Sequence, residues 1–385
     1  MTPRPALPAL TGLRFIAAVQ VVMFHTRSAA PGLQRASFLD PFGGGYSGVS
    51  LFFVLSGFIL AYNYLTPDGN GVRSIRSFLV ARAARIYAVY ALGVVIGIPA
   101  LLAEASRHGG VAANLQYLLM VIAANFTLVQ AWIPEYACRL NCPGWSLSVE
   151  AFFYLLFPLI GLWLCRRRPV ALLVIGAGCI ALAYGAAFTY MAVDPDKLGH
   201  ATAASYATWL SVLKFNPAIR LPEFALGIAL GILYLRAPNA LGRGAAFVSL
   251  AAFAFACVGL AVHERLPYPL VHNGLLAPVY CVLIFALATG QGPLARLLST
   301  RPLKQLGEAS FALYLLHVPL IGYCARLFAL GDITQTDDSW KWALMYLAVC
   351  QLTALAVLHW IEEPSRIAIK RWLSPSPRPD MTSAA

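Results

Sequence analysis

The sequence predicts an all-α fold: a polytopic transmembrane helical bundle of about ten spans, with both termini cytoplasmic. Of the 385 residues, 59% are hydrophobic and only 11% are charged, whereas a soluble domain carries about 25% charged residues. Apolar runs recur along nearly the whole chain, each close to the ~20 residues that a membrane-spanning helix needs. We therefore expect one membrane domain at 1–373 and a Pro- and Ser-rich, disordered cytoplasmic tail at 374–385.

The expected spans follow one another with short connections. They lie at 10–27, 47–65, 86–104, 146–164, 171–191, 218–235, 245–263, 273–289, 306–326 and 341–361. With a cytoplasmic N-terminus, most Lys and Arg residues fall in inner loops and the acidic residues concentrate outside, as the positive-inside rule requires.

One further segment, 114–132, is apolar enough to span. A span there would invert the later loops and put Arg166, Arg167 and Arg168 on the outer side. We therefore expect a re-entrant or buried piece of a long outer loop, which is allowed only where protein surrounds it or where it lines a cavity.

Charge and cysteine content limit the partners. The net charge of +12 is explained by loop residues that set topology, and no basic, aromatic-interleaved motif for nucleic acid occurs. Cys138 and Cys142 share a polar outer loop, where a disulfide is favoured over free thiols if the compartment is oxidising. Further metal ligands are not close to this pair in the sequence, so no metal is expected.

The first span carries the two residues that most need a chemical explanation. Arg14 and His25 are eleven positions apart, which is ~1100° of helical rotation, so they share one face and lie ~16 Å apart along the axis. Ionisable groups inside a span are costly and indicate function. In the alternative interpretation, Arg14 extends to the inner headgroups and His25 caps the outer end of the helix.

Two arginines after the second span form a possible anion site. Arg82 and Arg85 are three residues apart and so neighbour each other on a helix. Paired guanidinium groups suit phosphates, although topology and attraction to anionic membrane lipids also account for them.

Later spans contain isolated ionisable residues near one depth. Glu150, Glu223 and His317 are expected in the outer half of the bundle together with His25. A carboxylate beside an imidazole is a common way to hold a general base. The alternative is a set of hydrogen bonds at helix ends.

An ordered set of motifs resembles a known family. Arg14 and His25 match an R-x10-H motif, and GVSLFFVLSGF, Arg82-x-x-Arg85 followed by Ile-Tyr, WSLSVEAFFYLLFP and LYLLHVP follow in the expected order. The set resembles the acyltransferase-3 integral membrane acyltransferases, which transfer acyl groups, commonly acetyl, to extracytoplasmic carbohydrates. The resemblance runs almost end to end. It departs at Ala88, where members often have proline.

The resemblance implies a multi-pass protein of the bacterial inner (cytoplasmic) membrane, with acetyl-CoA as donor and a carbohydrate or lipid-linked sugar as acceptor. We further predict that Glu150 orients His25. The expected site residues are catalytic His25 and Glu150, donor-binding Arg14, Arg82 and Arg85, and acceptor-binding Trp145, Glu223 and His317.

The identity of the acceptor stays open at this point. Exopolysaccharide, O-antigen or its lipid-linked precursor, and a macrolide-type or lipid acceptor are all compatible with the sequence, and the acyl group could be acetyl, succinyl or longer. A proton-coupled transporter would also place His and Glu inside spans, but it predicts flux without CoA dependence. If the protein were only a structural scaffold, these ionisable residues would have no function.

Overall fold

The computed structural model describes residues 4–34, 40, 42–66, 74–336 and 339–373, and the regular structure in these residues is helical throughout. The predicted tail at 374–385 lies outside the described residues. The helices are α1 Pro8–Ala29, α2 Gly48–Tyr64, α3 Ile75–Arg107, α4 Leu115–Phe126, α5 Trp145–Cys165, α6 Pro169–Val193, α7 Thr208–Phe215, α8 Pro217–Arg236, α9 Ala245–Ala261, α10 Tyr268–His272, α11 Ala277–Ala288, α12 Gly292–Leu298, α13 Arg301–Glu308, α14 Ser310–Ala329, α15 Ser339–Val357 and α16 Glu363–Leu373.

Ten segments of the described chain are long and apolar enough to cross a membrane, which confirms the predicted number. They are Pro8–Ala29, Gly45–Tyr64, Ile75–Arg107, Cys142–Cys165, Pro169–Val193, Thr208–Arg236, Gly242–Ala261, Tyr268–Ala288, Ser310–Ala329 and Ser339–Leu373. The third begins at Ile75, well before the expected residue 86, so Arg82 and Arg85 lie on the helix itself. The side on which the chain begins stays a prediction from charge.

The segment at 114–132 does not form a span. Its helix α4 has 12 residues, about 18 Å of length, which is much shorter than the hydrocarbon core. Tyr90 of α3 donates to the carbonyl of Asn125 at 2.7 Å, and the Gln130 amide donates to the carbonyl of Gly144 at 2.9 Å. The prediction that this segment does not span is therefore confirmed, whereas α4 is only partly buried, since Leu115 and Leu119 are more than half exposed.

Helix α2 packs closely against α8 at glycines. A Cβ atom on Gly227 would lie 2.1 Å from the carbonyl oxygen of Val54, and one on Gly57 would lie 2.2 Å from that of Phe224. Only hydrogen fits at either position, so the two backbones touch, as small residues allow inside membranes. This contact fixes α2 in the middle of the bundle, between the two cavities described below.

The loop before α5 is closed by a disulfide. Cys138 and Cys142 are bonded to each other, as the sequence favoured. Of the six free cysteines, five are buried and Cys257 is half-buried, which is typical of cysteines that act as small apolar side chains.

Candidate active site

Two cavities enter the bundle from opposite ends. The arginine cavity, about 370 Å³, is lined by Arg14, Arg82 and Arg85. The histidine cavity, about 760 Å³, is lined by His25 and a group of aromatic residues. Because Arg14 is near the beginning of α1 and His25 near its end, this one helix presents Arg14 to the first cavity and His25, followed by Arg27, to the second.

The guanidinium groups of the arginine cavity differ in how they are held. Arg82 donates to the hydroxyl of Tyr64 at 3.0 Å, with its guanidinium 5.3 Å from the centre of that ring. Within the described chain, Arg14 and Arg85 donate no hydrogen bond, and both face the cavity. Their N–H donors are therefore available to an anionic ligand.

Glu150 belongs to the arginine cavity. It accepts hydrogen bonds from Tyr154, at 3.1 Å, and from Ser56. It also lies close enough to Arg85 and Arg14 to attract both electrostatically. Its carboxylate therefore lowers the repulsion between the two arginines without bonding to either of them.

A break in the last span completes the arginine cavity. A single π-helical turn at Leu358–Glu362 joins α15 to α16, and such turns recur at functional sites. The turn brings Glu362 to the cavity lining, and Arg366 follows one turn later. Glu362 lies within electrostatic reach of Arg85 and Arg366, so arginines and carboxylates alternate around this opening.

The histidine cavity is largely aromatic. Trp145 stacks on His272 with ring centres 6.2 Å apart and planes inclined by 30°, and Tyr46 stacks on the same His272 at 5.8 Å. Phe215 and Tyr268 line the same space. Trp145, which we predicted to bind the acceptor, therefore lies in the aromatic wall of this cavity.

The tautomer of His25 follows from its hydrogen bonds. Nδ1 of His317 is 2.6 Å from the carbonyl of Tyr314, so Nδ1 carries the proton and Nε2 of His317 is an acceptor. Nδ1 of His25 is 2.9 Å from the carbonyl of Val21 and 3.2 Å from that acceptor Nε2. His25 therefore carries its proton on Nδ1, and its Nε2 keeps a free lone pair.

The structure places two of the predicted site residues differently from the sequence-based expectation. The group that orients His25 is His317, because Glu150 bonds to Tyr154 and Ser56 in the other cavity. His317 is 0% exposed and lies outside the cavity lining, so it contacts His25 and is not at the surface where we predicted an acceptor contact for it. A tyrosine hydroxyl, from Tyr346, bonds to the backbone carbonyl of His317 and helps to hold it.

Glu223 is a structural partner in this fold. It forms a buried ion pair with Arg220 at 2.8 Å and lines neither cavity. Arg220 also donates to the carbonyl of His272 at 2.7 Å and to Ser50 at 3.1 Å. The pair thus adjoins the stacked His272, and Glu223 lies apart from the cavity in which we predicted an acceptor contact for it.

The two cavities adjoin inside the bundle. Val49 of α2 and Tyr314 of α14 line both of them. The Tyr314 hydroxyl is 2.8 Å from the hydroxyl oxygen of Ser146, which holds the ring at the junction. Val49 and Tyr314 therefore mark where the two cavities meet, between the arginines and His25.

Comparison with known proteins identifies the family of this chain. The acyltransferase domain family matches residues 7–359. The chain belongs to this acyltransferase family. It is 32% identical to acyltransferase MdmB of Streptomyces mycarofaciens, over 94% of this chain and 92% of that protein.

Two other relatives of the acyltransferase are longer proteins. It is 26% identical to the peptidoglycan O-acetyltransferase OatA of Listeria monocytogenes and 24% identical to the putative peptidoglycan O-acetyltransferase YrhL of Bacillus subtilis. Each match covers 94% of this chain but only 56% and 55% of the relative, so the chain spans about half the length of these two. No solved structure matches. The protein is therefore a multi-pass membrane acyltransferase.

Sequence reasoning missed Lys214 and Tyr314. The expected span at 218–235 left Lys214 in a loop, whereas α7 extends that span back to Thr208. A lone lysine in the apolar stretch WLSVLKF was the available signal, since an ionisable residue inside a span needs an explanation. No sequence signal places Tyr314 between the cavities, because that position depends on how α14 packs.

Proposed function

We propose that this acyltransferase moves an acyl group, most commonly acetyl, from acyl-CoA in the arginine cavity to a hydroxyl of a carbohydrate in the histidine cavity. The observation that carries the proposal is the position of Arg14 and His25. They project from one helix into two adjoining cavities that open at opposite ends of the bundle. A donor and an acceptor on different sides of a membrane require such an arrangement.

The donor end suits the phosphates of CoA. Arg14 and Arg85 offer unused guanidinium donors, and charge-assisted bonds to phosphate are among the stronger hydrogen bonds in proteins. Arg82 lies one helical turn from Arg85 and adds a third positive charge. The reach of the pantetheine arm is of the same order as the ~16 Å of helix between Arg14 and His25, so the thioester would arrive near His25.

The reaction uses the free lone pair of His25. Nε2 takes the proton of the acceptor hydroxyl, the hydroxyl oxygen forms a bond to the thioester carbonyl carbon, and the carbon–sulfur bond breaks. The departing CoA thiolate then receives the proton from the imidazolium. While His25 is charged, its Nδ1–H is held by the Val21 carbonyl and by Nε2 of His317.

A covalent route uses the same atoms. Nε2 of His25 attacks the carbonyl carbon of the thioester and the carbon–sulfur bond breaks, so CoA leaves as a thiolate and an acyl-imidazolium remains. The acceptor hydroxyl oxygen then bonds to the acyl carbon, the bond from that carbon to Nε2 breaks and restores neutral His25, and the hydroxyl proton passes to the thiolate or to water. Both routes need an unprotonated Nε2, which this tautomer provides, on a residue that lines the histidine cavity.

The acceptor end suits a sugar. Flat aromatic surfaces such as Trp145 and Tyr268 provide stacking faces for sugar rings, and His25 supplies a base at the edge of that surface. The names of the two peptidoglycan O-acetyltransferase relatives also support a carbohydrate acceptor. Exopolysaccharide, O-antigen or a lipid-linked precursor fits this description.

The charge distribution supports the orientation. With a cytoplasmic N-terminus the arginine cavity opens to the cytoplasm, where acyl-CoA is made, and the histidine cavity opens to the outer side. We assign the protein to the bacterial inner membrane on this basis.

The test uses purified protein in lipid nanodiscs and acetyl-CoA labelled in the acetyl group. Without acceptor, the covalent route predicts label on a peptide containing His25, and direct transfer predicts bound acetyl-CoA without protein label. A His25→Ala variant should bind acetyl-CoA but release no CoA thiol. His108→Ala, at an exposed turn after α3, is the matched control. Wild-type protein that neither binds nor consumes acetyl-CoA would overturn the proposal.

A further inference from the structure

Lys214 stands out among the charged residues of the histidine cavity. It lies on α7, is 6% exposed, and lines the cavity. Its ammonium nitrogen lies 5.1 Å from the ring centre of Phe215, 5.3 Å from that of Tyr206 and 5.5 Å from that of Tyr268. Three aromatic rings therefore surround a cation that is almost removed from solvent.

No carboxylate in the described chain pairs with Lys214. The acidic residues near the mouth of the cavity belong to another cation, because Arg27 contacts Asp40 at 2.6 Å and Glu264 at 3.3 Å. The cavity lining thus carries a positive charge that its own carboxylates do not neutralise.

The aromatic rings do not remove the need for a partner. A ring face attracts an ammonium ion, but the group has three N–H donors, and Lys214 makes no hydrogen bond within the described residues. Charged side chains that are buried are normally paired, because an unpaired buried charge is strongly destabilising. An open cavity beside such a donor indicates that the partner arrives with a ligand.

We propose that Lys214 binds an anionic group on the acceptor: a carboxylate of an acidic sugar, or the phosphate of a phosphorylated sugar such as a lipid-linked precursor. This inference rests on the proposed function, since it specifies the acceptor class for the same cavity. A neutral acceptor would leave the ammonium unpaired, and a cationic one would be repelled. The aromatic rings around Lys214 would stack on the sugar that carries the anion.

The experiment measures binding without any acyl donor. Three soluble probes are titrated onto the full chain in nanodiscs and followed by saturation-transfer NMR: tetragalacturonate for the carboxylate, glucose 1-phosphate for the phosphate, and neutral maltotetraose. Wild-type protein should bind at least one anionic probe about 10-fold more tightly than maltotetraose. The anionic probe that binds more tightly identifies the source of the charge.

The variants separate this site from general surface charge. Lys214→Met keeps the length of the side chain without its charge and should lose the preference for anions, while Lys214→Arg should keep most of it. Lys341→Met, at an exposed position on α15, is the matched control and should behave as wild type. Because Lys214→Met removes a buried unpaired charge, its melting temperature should not fall.

Three results with the probes would overturn the inference. They are equal binding of anionic and neutral probes by wild type, an anion preference that survives in Lys214→Met, and an equally large loss in Lys341→Met. A weaker affinity of Lys214→Met for acetyl-CoA, matching its loss for the probes, would also overturn it, because the anion site would then belong to the donor. None of the probe results bears on acetyl-CoA consumption, so the proposed function stands or falls separately.

Discussion

Replacing His317 tests how His25 is activated. A hydrogen bond 3.2 Å long joins Nε2 of His317 to Nδ1 of His25. Both rings are neutral before the reaction, and the His25 ring carries a full positive charge during it. A hydrogen bond to a charged group contributes about 1.5–3 kcal/mol, and each 1.36 kcal/mol is tenfold in rate. His317→Leu should therefore lower kcat about 10- to 150-fold.

The conservative variant should recover part of this loss. His317→Gln keeps an acceptor oxygen at the end of the side chain, and we expect its kcat within about 10-fold of wild type. The KM for acetyl-CoA should not change in either variant, because His317 lies outside the arginine cavity. The assay is release of CoA thiol in nanodiscs, with thermal unfolding of each variant to check the fold.

Two results would refute this account of His25. One is a His317→Leu enzyme with the kcat of wild type, which would mean that the bond has no role in the reaction. The other is a raised KM for acetyl-CoA with kcat unchanged, which would mean that His317 acts on donor binding.

Three further predictions address the donor site, the packing and the topology. Arg85→Gln should weaken acetyl-CoA binding about 10- to 150-fold, since it removes a charge-assisted bond to phosphate, and calorimetric titration measures the Kd; an unchanged Kd would contradict the donor site. Gly227→Val should destabilise the fold by about 3 kcal/mol because its side chain meets the α2 backbone, whereas Gly178→Val, with nothing within 4 Å of its Cβ, should leave the melting temperature unchanged. Cys138 and Cys142 should react with a membrane-impermeant maleimide from the outer side of intact cells only after reduction, and labelling only from the inner side would reverse the orientation.

The helix framework was accessible from sequence because hydrophobic length is a local property. Each span needs about 20 apolar residues, so all ten could be found without knowing how they pack. The same reasoning excluded the segment at 114–132, where loop charges were inconsistent with a further span. Helix ends were less accessible from sequence. Helix α3 begins at Ile75, before its apolar stretch, because a helix can include polar arginines that hydropathy alone would leave outside the span.

The site was only partly accessible, because depth along a span does not give direction around it. Trp145 and Glu150 are five residues apart on α5, which turns them about 140° from each other. Trp145 therefore reaches the histidine cavity while Glu150 reaches the arginine cavity, although one depth was predicted for Glu150 and His25. The bond between His25 and His317 joins residues 292 positions apart, and only the packing of α1 on α14 could reveal it.

The ion pair between Arg220 and Glu223 is visible in the sequence. Arg220 and Glu223 are three residues apart on one helix, a spacing at which opposite charges pair. Inside a membrane each residue of such a pair neutralises the charge of the other. The spacing alone therefore predicts a partner for Glu223 within its own helix.

We propose that the two ends of α1 have separate functions: Arg14 binds the donor and His25 takes part in the chemical step. The most direct measurement is a single-turnover experiment that records acetyl-CoA binding and CoA release in the same sample, for wild type, Arg14→Gln and His25→Ala. We expect Arg14→Gln to lose affinity for acetyl-CoA. We expect His25→Ala to keep wild-type affinity but to release no CoA. Full CoA release by His25→Ala, or unchanged affinity in Arg14→Gln, would contradict this proposal.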